Sequence, residues 1–399
     1  MRVYLDNSAT TAVLPEVIEA MLPCFGETYG NAQSVHGFGQ QAKSLVEGAR
    51  RRVAKLVGAA PGEIVFVAGG TEADNLAIRG IATAAAPRRP HLITTKVEHP
   101  AVLATCAALE QAGAQVTYLP VQTDGRLNVA DLRAAISDDT VLISVMHANN
   151  ETGAVQPLEA IAGVVRERRE RGQRGLYLHT DAVQSVGKIP VDVKHLGVDL
   201  LSLSGHKLHG PKGVGALFVR KGVRLAKHMT GGHHERDRRA GTENVPGIVG
   251  LGRAAELAHL HFDERAERMR GLRDYFEQQV MGRLAGVRVN GALRGRVPNV
   301  SNLSFAGVDG ESLLIALDLQ GIAVSTGSAC ASGSLEPSHV LTAMGLTREE
   351  VRGSLRVSLS ALTTRAEIDY ALAALEETIA RLREMRPANA EAASLECGL

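Results

Sequence analysis

The chain is 399 residues long, which at roughly 150 residues per domain indicates two or three domains and enough length to bury a hydrophobic core. Apolar residues make up 45% and charged residues 22%, which excludes a disordered or collagen-like chain. The formal charge is only +1, so there is no electrostatic reason to expect nucleic acid or an anionic membrane as a partner. No apolar run has the length of a membrane helix, and the first residues lack the apolar core of a signal peptide, so we expect a cytoplasmic protein.

Short β-rich segments alternate with helical patterns between residues 60 and 220. The predicted strands are 63–68, 91–97, 115–120, 140–146, 176–179, 199–203 and 215–219. Helical periodicity separates several of them, for example at 101–111 and 158–169. This alternation predicts an α/β fold with a mostly parallel seven-stranded sheet covered by helices. In such sheets the ligand crevice lies at the carboxyl ends of the strands.

A smaller α+β unit is predicted after these strands. A helical pattern runs without interruption from about 247 to 284 and is long enough to connect two domains. Strands near 287–289, 302–305 and 355–359 and a helix over 365–386 follow. We therefore expect a large domain over 15–255, and a small domain made of 1–14 and 256–399.

Polar side chains cluster where the predicted strands end. The first strand runs into Gly69, Gly70 and Thr71 just before a helix, and unpaired N–H groups together with the helix dipole make such a turn a phosphate cradle. An ordinary helix cap is the alternative for Thr71. The other strand ends add His99, Asn150, Asp181, Gln184, Ser204, His206 and Lys207. Each alone is more often a cap or a satisfied core group, but their joint placement points to one site.

An imidazole, a carboxylate, an amide and a lysine beside a phosphate cradle fit pyridoxal phosphate. A lysine amine binds the aldehyde of this cofactor, a carboxylate keeps its pyridine nitrogen protonated, and a planar side chain packs on its ring. Lys207 is the best placed of the nine lysines because it directly follows a strand end. Lys212 is the main competitor because it shares the same Gly-rich loop.

A single cysteine stands out among the four in the chain, which contain no CxxC pair and so argue against a disulfide framework or a Cys-rich zinc site. Cys330 lies in a segment, about 322–336, in which eight of the ten residues from 325 to 334 are Ser, Gly or Ala. Such a segment should move and could deliver a thiol. The alternative is a small buried hydrophobic residue, which suits Cys24 and Cys106 better because they sit in helical patterns. We expect no metal site.

Two further basic features are candidates for anion binding. Arg356 lies in a predicted strand, where an inward-facing arginine would need a carboxylate such as a substrate could supply; a solvated edge-strand arginine is the alternative. The stretch 231–244 is rich in donors and suits a phosphate or a subunit contact, or is a surface loop.

Together these motifs resemble the cysteine desulfurases of the NifS/IscS type, which are class V aminotransferase-like enzymes with the fold type I architecture of pyridoxal phosphate enzymes. The resemblance begins at Tyr4-Leu-Asp-Asn-Ser-Ala-Thr-Thr11, continues through Gly30-Asn-Ala-Gln-Ser-Val-His36 and reaches Arg356. Its most specific parts are Ser204-Gly-His-Lys207 and the thiol loop Gly327-Ser-Ala-Cys330. The long form of that loop resembles the subgroup that serves iron-sulfur assembly.

The resemblance implies a role for each candidate around the cofactor. Lys207 would hold the cofactor covalently and shuttle protons, His99 would stack on its ring and assist acid-base steps, Asp181 would pair with the pyridine nitrogen, and Gln184 would bond the ring hydroxyl. The phosphate would be held by Gly70, Thr71, Ser204 and His206, and by Thr242 from a second subunit of a homodimer with shared active sites.

The resemblance also implies the substrate and the product. Asn150 and Arg356 would hold the carboxylate of L-cysteine. Cys330 would attack the substrate sulfur, leaving alanine and an enzyme persulfide for a sulfur-acceptor protein such as an iron-sulfur scaffold. A selenocysteine lyase or another class V aminotransferase or lyase would keep the cofactor without needing the thiol, and a cofactor-free sulfur carrier is the alternative of another class.

Two departures from the family pattern matter. The family often has Ala before the Thr of the phosphate turn, where this chain has Gly70, a change that should loosen the turn without removing a donor. The tail around Cys397 does not match the ending of the housekeeping enzymes that dock a scaffold protein. The sulfur acceptor therefore stays open.

Overall fold

The computed structural model describes residues 1–85, 89–326 and 337–385. Its strands are β1 (Val3–Tyr4), β2 (Ile64–Val67), β3 (His91–Thr95), β4 (Gln115–Leu119), β5 (Thr140–Ser144), β6 (Tyr177–Asp181), β7 (Leu200–Ser204), β8 (Gly215–Val219), β9 (Val287–Val289), β10 (Val300–Phe305), β11 (Ile322–Ala323) and β12 (Ser354–Ser358). The seven strands predicted between residues 60 and 220 are thus present, with ends that differ by up to two residues.

The helices alternate with these strands in the first two thirds of the chain. They are α1 (Pro15–Met21), α2 (Pro23–Gly26), α3 (Gly37–Leu56), α4 (Gly70–Ala84), α5 (Pro100–Gln111), α6 (Val129–Ala135), α7 (Leu158–Glu170), α8 (His234–Asp237), α9 (Val245–Leu260), α10 (Phe262–Arg283), α11 (Gly310–Leu319), α12 (His339–Ala343), α13 (Arg348–Arg352) and α14 (Arg365–Glu384). The turn called α8 is irregular, because Glu235 and Arg236 have left-handed backbone angles.

Strands β2 to β8 form one seven-stranded sheet in the order β2-β8-β7-β6-β5-β3-β4. All neighbours are parallel except β8, which is antiparallel to both β2 and β7. The antiparallel exception follows from the chain, because the short loop after β7 contains no crossover helix to bring the chain back to the same edge. The carboxyl ends of β2, β3, β5, β6 and β7 therefore lie along one edge of the sheet.

Alternating side chains of the strands build a core on each face of this sheet. On β2, Ile64 and Phe66 belong to one hydrophobic cluster, and Val65 and Val67 belong to another on the opposite face. Both faces are covered, so the strand is buried at every position and reads as a continuous apolar run. Helices therefore pack on both faces of the sheet, and the polar residues that follow the strands lie at its carboxyl edge.

A second, smaller core lies between a three-stranded antiparallel sheet, β12-β10-β9, and the helices α10, α11 and α14. The short strand β1 pairs in parallel with β11, and Val3 and Leu5 enter this core. The N-terminal segment therefore starts in the small unit and then runs toward the edge of the large sheet. The domain boundaries given above stay a prediction.

The expectation of one uninterrupted helix over 247–284 is wrong. The helix stops at Leu260 and a second one begins at Phe262, because His261 has backbone angles outside the helical range (φ −109°, ψ 24°). The break lets the two halves pack on different cores: α9 buries Ile248 and Leu251 in the large one, and α10 buries Phe276 in the small one. Among the helices of the described residues, none is long and apolar enough to cross a bilayer.

Candidate active site

A cavity of about 290 Å³ opens at the carboxyl edge of the large sheet, facing the small unit. It collects ten of the residues that the sequence singled out, which are Gly70, Thr71, His99, Asn150, Asp181, Gln184, Ser204, His206, Lys207 and Arg356. Ser8, Ala9, Asp74, Met146 and Val183 complete its lining. Residues at the ends of β3, β6 and β7 meet here because parallel strands end at the same edge, and Ser8 and Arg356 reach the cavity from outside the large sheet.

Lys207 lies in a 3-10 turn, Gly205–Lys207, that directly follows β7. Its Nζ donates hydrogen bonds to the backbone carbonyls of Ser8 (2.5 Å) and Ala9 (2.7 Å), so the amine is held at the cavity wall. Lys212, the competitor, is exposed and lines only a wider outer cavity. The structure thus favours Lys207 as the amine of this site.

Asp181 and Gln184 belong to the turn that follows β6. One carboxylate oxygen of Asp181 accepts a hydrogen bond from the Val183 backbone N–H (2.9 Å), which orients the group toward the cavity. Burial raises the pKa of Asp181, while His99, the Val183 amide and Lys207 oppose that rise. Gln184 donates from Nε2 to the Ser8 carbonyl (3.0 Å). A buried carboxylate with one committed oxygen is suited to pair with a protonated ring nitrogen.

His99 has two roles in the structure. Its Nδ1 accepts a hydrogen bond from the backbone N–H of Ala101 (3.1 Å), so it caps helix α5, which is the ordinary role of a polar residue at a strand end. The ring also lines the cavity. Burial lowers the pKa of His99, with Asp181 acting in the opposite direction, so a neutral ring is favoured. The cap fixes Nδ1 as the acceptor and leaves the proton on Nε2.

The N-terminus of α4 faces the cavity and begins at Gly70. The cap position is Gly69, and no described side chain caps this end, so Thr71 is not the N-cap residue. The first backbone N–H groups of a fifteen-residue helix are therefore available to an anion. A Cβ at Gly70 would lie 2.8 Å from Cγ2 of Val183, which explains glycine at this position.

Ser204 and His206 form the opposite side of this anion cradle. Ser204 ends β7, and His206 Nδ1 lies 3.2 Å from the hydroxyl of Thr10. Burial and the nearby positive charges of Lys207, Lys212 and Lys188 lower the pKa of His206 to about 4. The imidazole is therefore neutral near pH 7 and can donate or accept a single hydrogen bond at each nitrogen.

Arg356 projects from β12 of the small sheet and is 2% exposed, so the alternative of a solvated edge arginine is wrong. Its Nη2 lies 2.7 Å from the Asp6 carboxylate, and its Nη1 donates to the backbone carbonyl of Asn150 (3.1 Å). Its Nε is buried and finds no hydrogen-bond partner among the described residues. A buried guanidinium with an unsatisfied N–H at a cavity wall is suited to bind a carboxylate.

Several residues of the site were not found from the sequence. Asp74 lies on the first turns of α4 and is 1% exposed, and burial together with Asp181 raises its pKa well above the usual range. Its position inside a helical pattern gave no signal. Asp6, Ser8 and Ala9 lie in the N-terminal motif that carried the resemblance, but their contacts with Arg356 and Lys207 join segments about 200 or more residues apart.

One sequence candidate does not line this cavity, and another falls outside the described residues. Thr242 is exposed and is separate from the lining of its own chain's cavity. Cys330 lies outside the described residues, as does Cys397. The other two cysteines are buried, and burial raises the pKa of Cys106 to about 12, so neither suits a reactive thiol.

Charged residues of the donor-rich stretch 231–244 form ion pairs with other residues of the same chain. Glu235 is buried and pairs with Arg50 (2.7 Å), and Arg239 pairs with Glu72 at 2.8 Å. These two pairs connect the stretch to α3 and α4, and its role toward a phosphate or a second subunit stays a prediction.

The residues present fit pyridoxal phosphate. The uncapped helix end suits its phosphate, the Asp181 carboxylate suits its ring nitrogen, and the Lys207 amine suits its aldehyde. These groups line one cavity, so a single molecule can reach them all.

The chain belongs to the aminotransferase class-V family, whose family model matches residues 3–371. Pyridoxal phosphate is the cofactor that this family implies. Among its relatives, a protein of Dictyoglomus turgidum named cysteine desulfurase IscS is 50% identical over 385 residues, which is 96% of each chain. A protein of a Nostoc species named cysteine desulfurase is also 50% identical, over 96% of this chain and 94% of that one.

Solved structures give the same assignment. A NifS-like protein is 40% identical and superposes with a TM-score of 0.89, covering 96% of this chain and all of that one (100%). The structure described as SspA in complex with cysteine is 36% identical, with a TM-score of 0.81 and coverage of 91% and 100%. The expected family, the mostly parallel α/β fold and the expectation of an enzyme of the cysteine desulfurase type are confirmed. The selenocysteine lyase and the cofactor-free carrier are not favoured.

Proposed function

We propose that the chain is a pyridoxal phosphate-dependent L-cysteine desulfurase. L-cysteine and the thiol of Cys330 give L-alanine and a persulfide on Cys330, so the substrate C–S bond breaks, an S–S bond forms, and the thiol hydrogen is retained in the products. The observation that carries the proposal is one cavity in which Lys207, a buried carboxylate and an incompletely paired arginine face each other.

The cofactor would be held by residues with distinct tasks. Lys207 would bind its aldehyde, Asp181 its ring nitrogen, and Gln184 its ring oxygen, while His99 would pack against the ring. The N-terminus of α4 would hold its phosphate together with Ser204 and His206. When bound, the cofactor supplies an electron sink that stabilises negative charge at the substrate α-carbon. Lys207 would move a proton at that carbon.

The substrate carboxylate would bind at Arg356 and Asn150. Arg356 would supply the positive charge for this carboxylate from the cavity wall, and its buried Nε has no hydrogen-bond partner among the described residues. An L-amino acid held there by its carboxylate and near Lys207 by its amino group has its side chain positioned by two fixed points. The sulfur of a substrate bound in this way is the atom that would be transferred to Cys330.

The residues on either side of that segment are tied to the substrate site. On one side, the backbone of Ser325 exchanges hydrogen bonds with the backbone of Arg356, at 3.2 and 2.6 Å. On the other side, the Ser338 hydroxyl donates to the Glu151 carboxylate (2.5 Å), directly beside Asn150. Ser325 and Ser338, the described residues on either side of the Cys330 segment, therefore lie next to Arg356 and Asn150, the two residues proposed to hold the substrate carboxylate.

The enzyme would act as a homodimer that shares its active sites. Exposed apolar side chains cluster near the N-terminus, where Tyr29 and Phe38 are 68% and 53% exposed and their ring centroids lie 5.7 Å apart. The same region contacts the Thr242 segment, since Gln33 donates a hydrogen bond to Glu243. An exposed aromatic patch beside Thr242 fits a surface that a second copy covers, with Thr242 reaching that copy's phosphate. A cytoplasmic enzyme that passes its persulfide sulfur to an iron-sulfur scaffold would complete this function.

Replacement of Cys330 tests the function most directly. The Cys330→Ala holoenzyme should release no sulfide and form no alanine in a multiple-turnover assay with L-cysteine and a reductant, because no acceptor for the substrate sulfur remains. Its visible absorption should match that of the parent, because the cofactor contacts are unchanged. Full retention of activity would refute the assignment.

The matched control is Cys397→Ala, which removes the other cysteine that lies outside the described residues. It should leave sulfide release and the trapped persulfide unchanged. A colourless purified protein, whose spectrum does not respond to borohydride or to added pyridoxal phosphate, would instead refute the cofactor.

A further inference from the structure

Lys188 is a buried lysine close to the cavity, and no sequence motif assigns it a role. It lies in the connection after β6, shortly after Gln184, and is 7% exposed. Its Nζ donates a hydrogen bond to Oε1 of Gln184 at 2.9 Å. None of the described carboxylates forms an ion pair with it. A buried cationic side chain without a carboxylate partner is costly to keep, which points to a functional reason for its presence.

Lys188 and the Ser8 carbonyl together determine which way the Gln184 amide faces. The amide oxygen accepts from Lys188, and Nε2 donates to the Ser8 carbonyl at 3.0 Å. A side-chain amide nitrogen carries two N–H groups, so one remains for another acceptor. Gln184 also lines the cavity, and it is the residue proposed to bond the ring oxygen of the cofactor. The opposite orientation would place two oxygens, of Gln184 and Ser8, against each other.

We propose that Lys188 is a positioning residue that holds the Gln184 amide with its NH₂ group toward the ring oxygen of the cofactor. The inference rests on the proposed function in one respect, namely that pyridoxal phosphate occupies this cavity. An N–H donor stabilises an anionic ring oxygen, whereas an amide oxygen turned toward it would be repelled. Lys188 acts through Gln184 and touches no reacting atom.

The charge around Lys188 supports this role. Burial, together with the positive charges of Lys207 and Arg356, lowers the pKa of Lys188 to about 7. In either protonation state the amine can donate to Gln184, and below that pH it is a donor only. The orientation of the amide is therefore fixed most strictly in neutral and mildly acidic solution.

Two substitutions and their combination test the proposal. The single variants are Lys188→Met, which keeps the length of the side chain without its donors, and Gln184→Ala. Two quantities are measured: the affinity of the apoenzyme for pyridoxal phosphate, and the pH midpoint of the visible absorption change of the bound cofactor. Lys188→Met should weaken cofactor binding by roughly 5- to 10-fold, as expected for one lost hydrogen bond, and raise the midpoint by about half a pH unit or more.

The double variant separates positioning from a general structural effect. If Lys188 acts through Gln184, Lys188→Met in the Gln184→Ala background should change affinity and midpoint by less than about twofold and about 0.2 unit respectively. An equal effect of Lys188→Met in both backgrounds, or an unchanged midpoint in the single variant, would overturn the inference. Exposed Lys194→Met, in the same connection, is the control and should leave both quantities unchanged.

Folding and the proposed function are checked separately. If Lys188→Met does not fold, Lys188→Gln, which keeps a shorter donor, should give a smaller change of the same sign, and no change would count against the proposal. If the parent apoenzyme binds no pyridoxal phosphate, the proposed function fails. If the parent binds and Lys188 variants behave like the parent, only the positioning role fails.

Discussion

Arg50 and Arg356 are both buried and both pair with a carboxylate, but the hydrogen bonds around them differ. Arg50, in the large core, donates hydrogen bonds with all three guanidinium nitrogens. Nε donates to Glu47 (3.0 Å), Nη1 to the Ile64 carbonyl (2.9 Å), and Nη1 and Nη2 to the two carboxylate oxygens of Glu235. It also lies over the ring of Phe66. Arg356, in the cavity, has one carboxylate contact with Asp6, one carbonyl contact, and an Nε without a partner among the described residues.

The difference separates a structural charge pair from a binding site. Arg50 and Glu235 satisfy each other in a fork-to-fork arrangement with side chains about 5% and 4% exposed, so no further ligand is needed or can enter. Arg356 is as deeply buried but keeps donor capacity at a cavity wall. Burial alone therefore does not distinguish the two arginines; the cavity beside Arg356 and its incomplete set of partners are what favour the proposed binding role.

The largest effect is expected from breaking the structural pair. Arg50→Met leaves the Glu235 carboxylate buried without its cation, so we expect a loss of about 3–5 kcal/mol in the free energy of unfolding. Chemical denaturation of the holoenzyme measures this loss. The KM for L-cysteine should stay within about twofold of the parent value, and a selective rise in KM in a stable variant would contradict the distinction.

Replacing Arg356, the proposed substrate-binding arginine, should lower kcat/KM more than it lowers the free energy of unfolding. Arg356→Gln removes the charge that would bind the substrate carboxylate, and losing such a contact costs about 2–5 kcal/mol, which corresponds to roughly 30- to 5,000-fold in kcat/KM. Steady-state kinetics with L-cysteine measure it. Alanine, the product, should lose affinity in parallel. Unchanged kcat/KM would remove Arg356 from the substrate site.

A double replacement sharpens the structural half of the comparison. Adding Glu235→Gln to Arg50→Met removes the unpaired buried charge while keeping an acceptor for the Phe66 N–H, which Glu235 binds at 2.9 Å. About 1–3 kcal/mol of the lost unfolding free energy should return. Denaturation of both variants side by side tests this. A double variant that is less stable than Arg50→Met would show that the carboxylate has another cation.

The smallest effect is expected at the partner of Arg356. The Asp6 carboxylate forms an ion pair with Arg356, with Oδ1 2.7 Å from Nη2, and would compete with the substrate carboxylate for the guanidinium. Asp6→Asn removes the competing charge, so the KM for L-cysteine should fall by about 2- to 5-fold with kcat little changed, as for the loss of a partly exposed ion pair of up to about 1 kcal/mol. A higher KM would mean that Asp6 orients the guanidinium instead.

The pattern of side chains along the chain predicted most of the fold. Strand β8 is identical in its bounds to the predicted 215–219, and the remaining six strands of the sheet are present. These elements could be predicted because buried strands are runs of apolar, β-branched residues, a local property. The break at His261 could not, because both halves of that segment are helical in pattern and only their different packing partners separate them.

The candidate site divides in the same way. The amino-acid sequence by itself determined which side chains end the strands, and hence that Lys207, Asp181 and His99 share an edge, because parallel strands carry their carboxyl ends to one side. Only the tertiary structure decided that Lys207 rather than Lys212 enters the cavity, that Asp74 and Lys188 are buried beside it, and that Asp6 occupies Arg356. The contacts of Asp6 and Asp74 join distant segments, and the depth of burial at Lys188 depends on the packing of both cores. No local pattern encodes either property.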